Sequence, residues 1–410
     1  MKKKIMILGA SILQLPAIEI AKKIGLQPVV IDMNSEAVGF KVEGVIKEVI
    51  STIDTPAIVE AAKRNKIDGI MTLATDMPIR SVAAVAKEMR LVGIDEKTAI
   101  KATNKVEMRK ALQEHNVPIP QFFKVSNIEE YYKAVKRLNA PFIVKPADGS
   151  GSRGIFKVQN ILNEKLIENA YEYCYPHSSN GDVIVEEYMS GPEVSVETIS
   201  INGICHVIQI TDKLTTGTPH FVEIGHSQPT QLKEKMRKKV ENIAKAANKA
   251  VGIKNGPSHT EIIITDTGPK IVELGARLGG DNITTHLVPL STGVNMVEAC
   301  IRIAIGEKPD IEPKWNKGSA IRYFKQVAGV VNRIEGIKEA EHTEGIQCVT
   351  IVHGVGNEIT EIIDSGSRMG FVIAQSDSVK EAIRVCENAL EKLDIKVNEN
   401  ELNALNGVSV

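Results

Sequence analysis

One stretch limits the folds open to this chain more than any other, the segment from His259 to Asp281, HTEIIITDTGPKIVELGARLGGD. Two apolar runs flank Thr265 to Pro269, a cluster of turn-forming residues, and read as a β-hairpin. Side chains alternate between the two faces of a strand, so Ile262, Ile264, Val272 and Leu274 form a core face. With the turn centred on Thr267, Glu261 stands opposite Glu273, and His259, Glu261, Glu273, Gly275 and Arg277 share the other face. Like charges facing each other on a sheet repel. A hard divalent cation such as Mg²⁺, which takes carboxylates together with phosphate oxygens and water, would hold the pair together. Arg277 on the same face asks for an anion, and Gly275 leaves room for one. Zinc would ask for clustered His and Cys ligands, which are absent.

A second segment, PFIVKPADGSGSRG from Pro141 to Gly154, puts Lys145 inside an apolar strand and follows it with Asp148-Gly149-Ser150-Gly151-Ser152-Arg153-Gly154. An unpaired ammonium in such a strand is costly. Glycines let backbone approach a ligand closely, and successive N–H groups form a nest for anions. The serine hydroxyls and Arg153 add donors that suit phosphate oxygens. A plain hairpin needs only a short connection. No GKS or GKT follows the glycines and the GxGxxG spacing is missing, so neither a Walker loop nor a dinucleotide fingerprint is present. Lys105 opens a helix in TNKVEMR and gains interest only beside these lysine and glycine signals.

Around these motifs the pattern predicts three regions. Residues 1–95 alternate short apolar runs (Ile5–Leu8, Pro28–Ile31, Gly69–Leu73) with amphipathic helices, the signature of a doubly wound parallel α/β sheet. Residues 96–308 mix locally paired strands with helices, α+β in character, with a smaller unit at about 117–187. Residues 309–410 read as a small α+β domain with strands near 320–324, 348–352 and 369–374, a helix over 378–392, and no chemistry of its own. A chain of 410 residues is long enough for this division.

A formal net charge of −1 gives no footprint for nucleic acid or an anionic membrane. The five cysteines are far apart and read as free thiols in a reducing compartment. Lys2 to Lys4 before an apolar run resembles a signal peptide, but Gln14, Pro16 and Glu19 interrupt the run, and a cytoplasmic protein is expected. No stretch approaches the ~20 apolar residues needed to cross a bilayer. A homodimer is the default assembly for a soluble oligomer.

A phosphate-cradling loop, strand lysines and a carboxylate pair on a later hairpin, in this order, resemble the ATP-grasp superfamily over about 103–305. The resemblance extends to VIVEEYMSGPEVSVE, 183–197, which looks like the family's hinge strand. It implies that Glu186 and the backbone of Glu187, Tyr188 and Met189 meet adenine, and that Glu193 binds ribose. It further implies that Lys105 and Lys145 contact ATP phosphates under a mobile loop of Ser150, Gly151, Ser152, Arg153 and Gly154. Glu261 and Glu273 become ligands of Mg²⁺, with Mn²⁺ able to substitute. Many members carry Asn two residues after the second metal glutamate, where this chain has Gly275, so water or another residue would complete that position.

Within the superfamily, GPSHTE (256–261), ELGARLGG (273–280), HFVEIGH (220–226) and SGSRMGFVIA (365–374) resemble bacterial L-amino-acid ligases, in which residues matching His259 and Arg277 line the acyl-phosphate site. His220, Glu223 and His226 would shape substrate choice from a long loop. The activity implied is the joining of a carboxylate and an amine, both small molecules, through an acyl phosphate. Glu273→Gln or Lys145→Ala should then abolish ATP turnover while the fold survives. A purine-biosynthetic carboxylase or transformylase of the same superfamily, a nicotinamide-dependent oxidoreductase suggested by the opening β-α-β unit and Asp32, and a regulator without turnover are the competing expectations.

Overall fold

In the computed structural model, which describes residues 2–138, 141–149, 153–179, 181–218 and 220–398, strands β1 (Lys4–Leu8), β2 (Gln27–Asp32), β3 (Ile46–Val49) and β4 (Gly69–Thr72) form a parallel sheet in the order β3-β2-β1-β4. Alternation explains why β1 is apolar throughout: Ile5 and Ile7 face one core, Met6 and Leu8 another. Helices Thr55–Asn65 and Ile79–Met89 cover the second face. The first face is covered by helix Leu15–Lys23 and by helix Met296–Ala304, which the sequence pattern had assigned to the closing part of the next region. The expected α/β sheet is there, but its cover arrives from far along the chain.

A second sheet joins β5 (Phe122–Val125), β6 (Phe142–Pro146), β7 (Phe156–Val158) and β8 (Val183–Glu187) in the order β5-β8-β6-β7, all antiparallel. Helices Ile128–Val135 and Glu164–Cys174 pack on it through a core that includes Tyr131, Phe142, Val144 and Tyr171. Central strands follow: β9 (Glu193–Ile201), β10 (Ile204–Thr215), β11 (Glu223–Gln228), β12 (Gly256–Thr265) and β13 (Gly268–Gly275). The C-terminal strands are β14 (Gly318–Tyr323), β15 (Gly329–Glu335), β16 (Ile346–Ile351), β17 (Glu358–Ile359), β18 (Gly370–Ser376) and β19 (Asp394–Asn398). One antiparallel sheet of eight strands runs β13-β12-β9-β10-β11-β14-β18-β16, and β17-β15-β19 form a small sheet beside it. The sheet therefore passes unbroken across the boundary expected near residue 308, because β11 pairs with β14 (Gly225 with Arg322).

No single described helix is long and apolar enough to cross a membrane; the apolar pair Ile283–Thr292 and Met296–Ala304 is bent by 113°.

Candidate active site

The predicted hairpin is β12 and β13, and Glu261 does stand opposite Glu273, with His259 opposite Gly275. The route to that register differs from the expected one. Thr265 pairs with Gly268, so the turn is centred between Asp266 and Thr267, and a bulge between Glu261 and Ile262 restores the facing pair. The bulge also shifts the phase of β13: Ile271 is fully buried at the position the alternation gave to Val272, and Ile264, like Val272, is only partly buried.

Each glutamate has its own lysine. Lys105 Nζ lies 3.6 Å from Glu273 and donates to the Gly149 carbonyl at 2.8 Å. Lys213 Nζ, on β10, is 2.8 Å from Glu261, 2.6 Å from Glu193 and 3.3 Å from Glu223. Lys213 belongs to no motif; its signal in the sequence is a lysine in a segment that must be a buried central strand. Burial alone would pull the Lys213 ammonium down, but Glu193, Glu261 and Glu223 around it hold it well above the usual lysine range. Burial works against ionised Glu261 too, yet Lys213 and His259 keep it well below the carboxylate range, while burial pushes Glu193 up. Among the described residues no group of three or more His, Cys, Asp or Glu is arranged to hold a metal. Two facing carboxylates that leave the other positions to phosphates and water fit Mg²⁺ rather than a closed protein cage.

His259 is buried, its Nδ1 2.8 Å from Glu197 Oε1 and its Nε2 3.3 Å from Glu261. Burial disfavours its charge, but Glu197 and Glu261 raise it to about 9. Arg277 shares this face as expected, and the anion it meets is Asp76, which accepts from Nε at 2.9 Å and from Nη2 at 3.1 Å.

Lys145 is buried and reaches Glu186 at 2.6 Å. Glu186 also accepts from Arg109 Nε at 2.6 Å, and Arg109 Nη2 donates to the Val272 carbonyl at 2.7 Å. The apolar strand thus tolerates Lys145 because a buried anion sits beside it. The Glu186 carboxylate, expected at adenine, is occupied by these two cations; Glu187, Tyr188 and Met189 are half-buried, and the Glu187 and Tyr188 N–H groups donate to the Gln121 and Pro141 carbonyls. Glu187 takes Lys270 at 3.2 Å, and the Lys157 ammonium lies 3.7 Å over the Tyr188 ring. Arg153 is exposed and Gly154 buried at φ +72; Ser150, Gly151 and Ser152 lie outside the described residues.

Glu223 and His226, expected on a long loop, lie on β11, and His220 precedes it exposed. His226 Nε2 is 3.3 Å from Asp281, which Arg368 grips at 2.7 and 2.9 Å. Arg368 also donates to the Glu223 carbonyl at 3.0 Å and lies 3.8 Å over the Tyr323 ring. The C-terminal region, expected to carry no chemistry, therefore sends an arginine to the edge of the site.

Residues 138–285 match the ATP-grasp domain family, and residues 323–398 match L-amino acid ligase C-terminal domain 2. The chain is similar to the L-arginine-specific L-amino acid ligase of Bacillus subtilis, 24% identical over 336 residues that span 80% of this chain and 81% of that one. Its similarity to the phosphoribosylamine--glycine ligase of Caldanaerobacter subterraneus is 23% identity over 85% of this chain and 86% of that one. The crystal structure of L-amino acid ligase from Bacillus licheniformis superposes with a TM-score of 0.83 at 24% identity, covering 97% of this chain and 99% of that one.

Proposed function

We propose that this chain, which carries an ATP-grasp domain and an L-amino acid ligase C-terminal domain, is an ATP-dependent ligase that joins the carboxylate of one L-amino acid to the amine of another, releasing ADP and phosphate. The observation that carries the reading is the facing pair Glu261 and Glu273, with Lys105 bridging from Glu273 to the Gly149 carbonyl at the start of the glycine loop. Mg²⁺, held by Glu261 and Glu273, would offset the charge of the ATP phosphates. Lys105 and Lys145 draw those phosphates to the loop, and Arg153 and Gly154 close over them. Glu187, Tyr188 and Met189 border the adenine, and Glu193 the ribose.

The substrate carboxylate attacks the γ-phosphorus and ADP leaves, which gives an acyl phosphate. The amine attacks the acyl carbon, phosphate departs, and the amine proton is lost to a base. Positioning and charge stabilisation supply most of the catalysis in phosphoryl transfer. Arg277 binds the oxyanion on this face. His259, held by Glu197 and Glu261 and raised above the usual imidazole range, adds positive charge beside it.

A phosphoribosylamine substrate is the second reading, favoured by the relative of that activity. The test is ATP with Mg²⁺ and pooled L-amino acids, with ADP, phosphate and product masses recorded. A product one water lighter than two amino acids supports the proposal; turnover only with phosphoribosylamine and glycine supports the second reading. Glu273→Gln should abolish either turnover while the protein stays folded, and wild-type turnover in that variant would defeat the site. Lys145→Ala is a poorer test than the sequence suggested, since it leaves Glu186 with one of its two buried cations.

A further inference from the structure

Asp76 has no part in the chemistry above. It lies just beyond β4, in the segment 73–78 that leads into helix Ile79–Met89, and it meets a residue 201 positions further along the chain. Its side chain is 13% exposed and that of Arg277 10%, so the pair is largely withdrawn from water. Arg277 Nη1 also donates to the Leu278 carbonyl at 3.3 Å. A guanidinium carries five N–H donors in a rigid plane. The two bonds to Asp76 take the Nε/Nη2 edge, and the Leu278 carbonyl takes one N–H of Nη1. Among the described residues that leaves one N–H on each of Nη1 and Nη2, two donors that suit the oxygens of a carboxylate or phosphate.

Two further features are shaped around this contact. Leu73 forms a parallel bridge with Leu278, and the Ala74 N–H donates to the Leu278 carbonyl at 3.1 Å, with Ala74 held at φ +63. A residue with a Cβ adopts that backbone only when its surroundings enforce it. On the other side, a Cβ at position 275 would lie 2.6 Å from Asp76 Oδ1 and 3.3 Å from Arg277 Nε. The room at Gly275 that seemed reserved for a ligand is where the Asp76 carboxylate sits.

We propose that Asp76 is a positioning residue: it fixes the Arg277 guanidinium so that these two donors face the reacting anion, and it makes the N-terminal domain part of the catalytic apparatus. Gly275 is the vacancy that admits it. The inference deepens the proposed ligase reading and rests on it for its kinetic arm. Turnover with ATP, Mg²⁺ and the amino-acid pool is compared for wild type, Asp76→Ala, Asp76→Asn, Gly275→Ala, Arg277→Gln and the double variants with Arg277→Gln. Asp76→Ala should lower kcat about tenfold or more, as loss of orientation does. Its affinity for MgATP should stay within about twofold, because Asp76 does not border the nucleotide. Asp76→Asn, which keeps one acceptor, should lose less, and Gly275→Ala should behave like Asp76→Ala. In the Arg277→Gln background the Asp76 change should have an effect of less than about twofold, since coupled residues are non-additive. A kcat for Asp76→Ala equal to wild type, or the same loss in both backgrounds, overturns the proposal.

Phenylglyoxal labelling mapped to Arg277 by mass spectrometry reads the pair with no substrate at all. Labelling should be several-fold faster in Asp76→Asn, and equal rates overturn the proposal. A wild type that is inactive with amino acids but shows this labelling difference would instead defeat the amino-acid reading while leaving the Asp76 arrangement standing.

Discussion

Replacing Glu186 by glutamine removes the one anion between two buried cations. The side chains of Arg109, Glu186 and Lys145 are 1%, 4% and 6% exposed, so water cannot compensate the loss. Arg109 keeps its bond to the Val272 carbonyl, whereas Lys145 keeps no other ion-pair partner among the described residues. Stripping one partner from a buried pair costs about 3–5 kcal/mol. The acid dependence gives a second figure. Burial opposes the ionised form of Glu186, but Arg109 and Lys145 lower it from 4.5 to about 2, which corresponds to about 3 kcal/mol. A depressed carboxylate contributes stability that is complete above its unfolded value and is lost as pH falls through its folded value. The gap between wild type and Glu186→Gln should therefore be full near neutral pH, begin to shrink below 4.5 and be nearly gone at about 2. Urea unfolding followed by circular dichroism at a series of pH values measures that gap. A gap below about 1 kcal/mol at neutral pH, the size of a surface pair, would rule out a buried charge cluster of this strength, as would one that does not change with acid.

Lys213→Met should destabilise the protein at neutral pH, because Glu193, Glu223 and Glu261 lose their shared cation; Mg²⁺ should then raise the melting temperature of the variant more than that of wild type, read by scanning calorimetry. Arg368→Ala removes the grip on Asp281 and the Glu223 carbonyl and should cost about 3 kcal/mol, seen as faster proteolysis of the C-terminal region with ATP affinity retained. Ile271→Ala should cost about 2–5 kcal/mol and Val272→Ala clearly less in urea unfolding, since the bulge in the hairpin buries the first and not the second.

Local pattern carried much of this arrangement. The alternation of Glu261 and Glu273 with apolar neighbours, and a Lys145 that has to find an anion, were legible because strand periodicity and the cost of burying charge act over a few residues. The bulge was not legible, since the residue it leaves unpaired on β13, Val272, gives its carbonyl to Arg109 from a distant part of the chain. Asp76 and Lys213 escaped notice for a different reason: each gains meaning only from partners brought together by tertiary contacts, Asp76 through the Leu73–Leu278 bridge and Lys213 through three carboxylates on β9, β11 and β12. The boundary near residue 308 follows the Gly306-Glu307-Lys308-Pro309 interruption of the pattern, yet the sheet crosses it, because strand order is set by pairing partners and not by chain order. Likewise His226 reads as a loop residue among glycine and polar neighbours, and its place on β11 depends on β10 and β14 on either side.

Activation of a carboxylate by phosphoryl transfer, followed by its capture by an amine, is the core of the proposed function. It is tested most directly with amino acids whose carboxylates carry ¹⁸O, incubated with ATP, Mg²⁺ and the full chain. Attack on the γ-phosphorus moves one carboxylate oxygen into the phosphate released when the amide forms, and the other stays in the amide. The expected products are ADP, phosphate bearing one ¹⁸O and a labelled dipeptide. Unlabelled phosphate would mean ATP hydrolysis without activation, and AMP carrying the label would mean adenylation; either would contradict the proposed function.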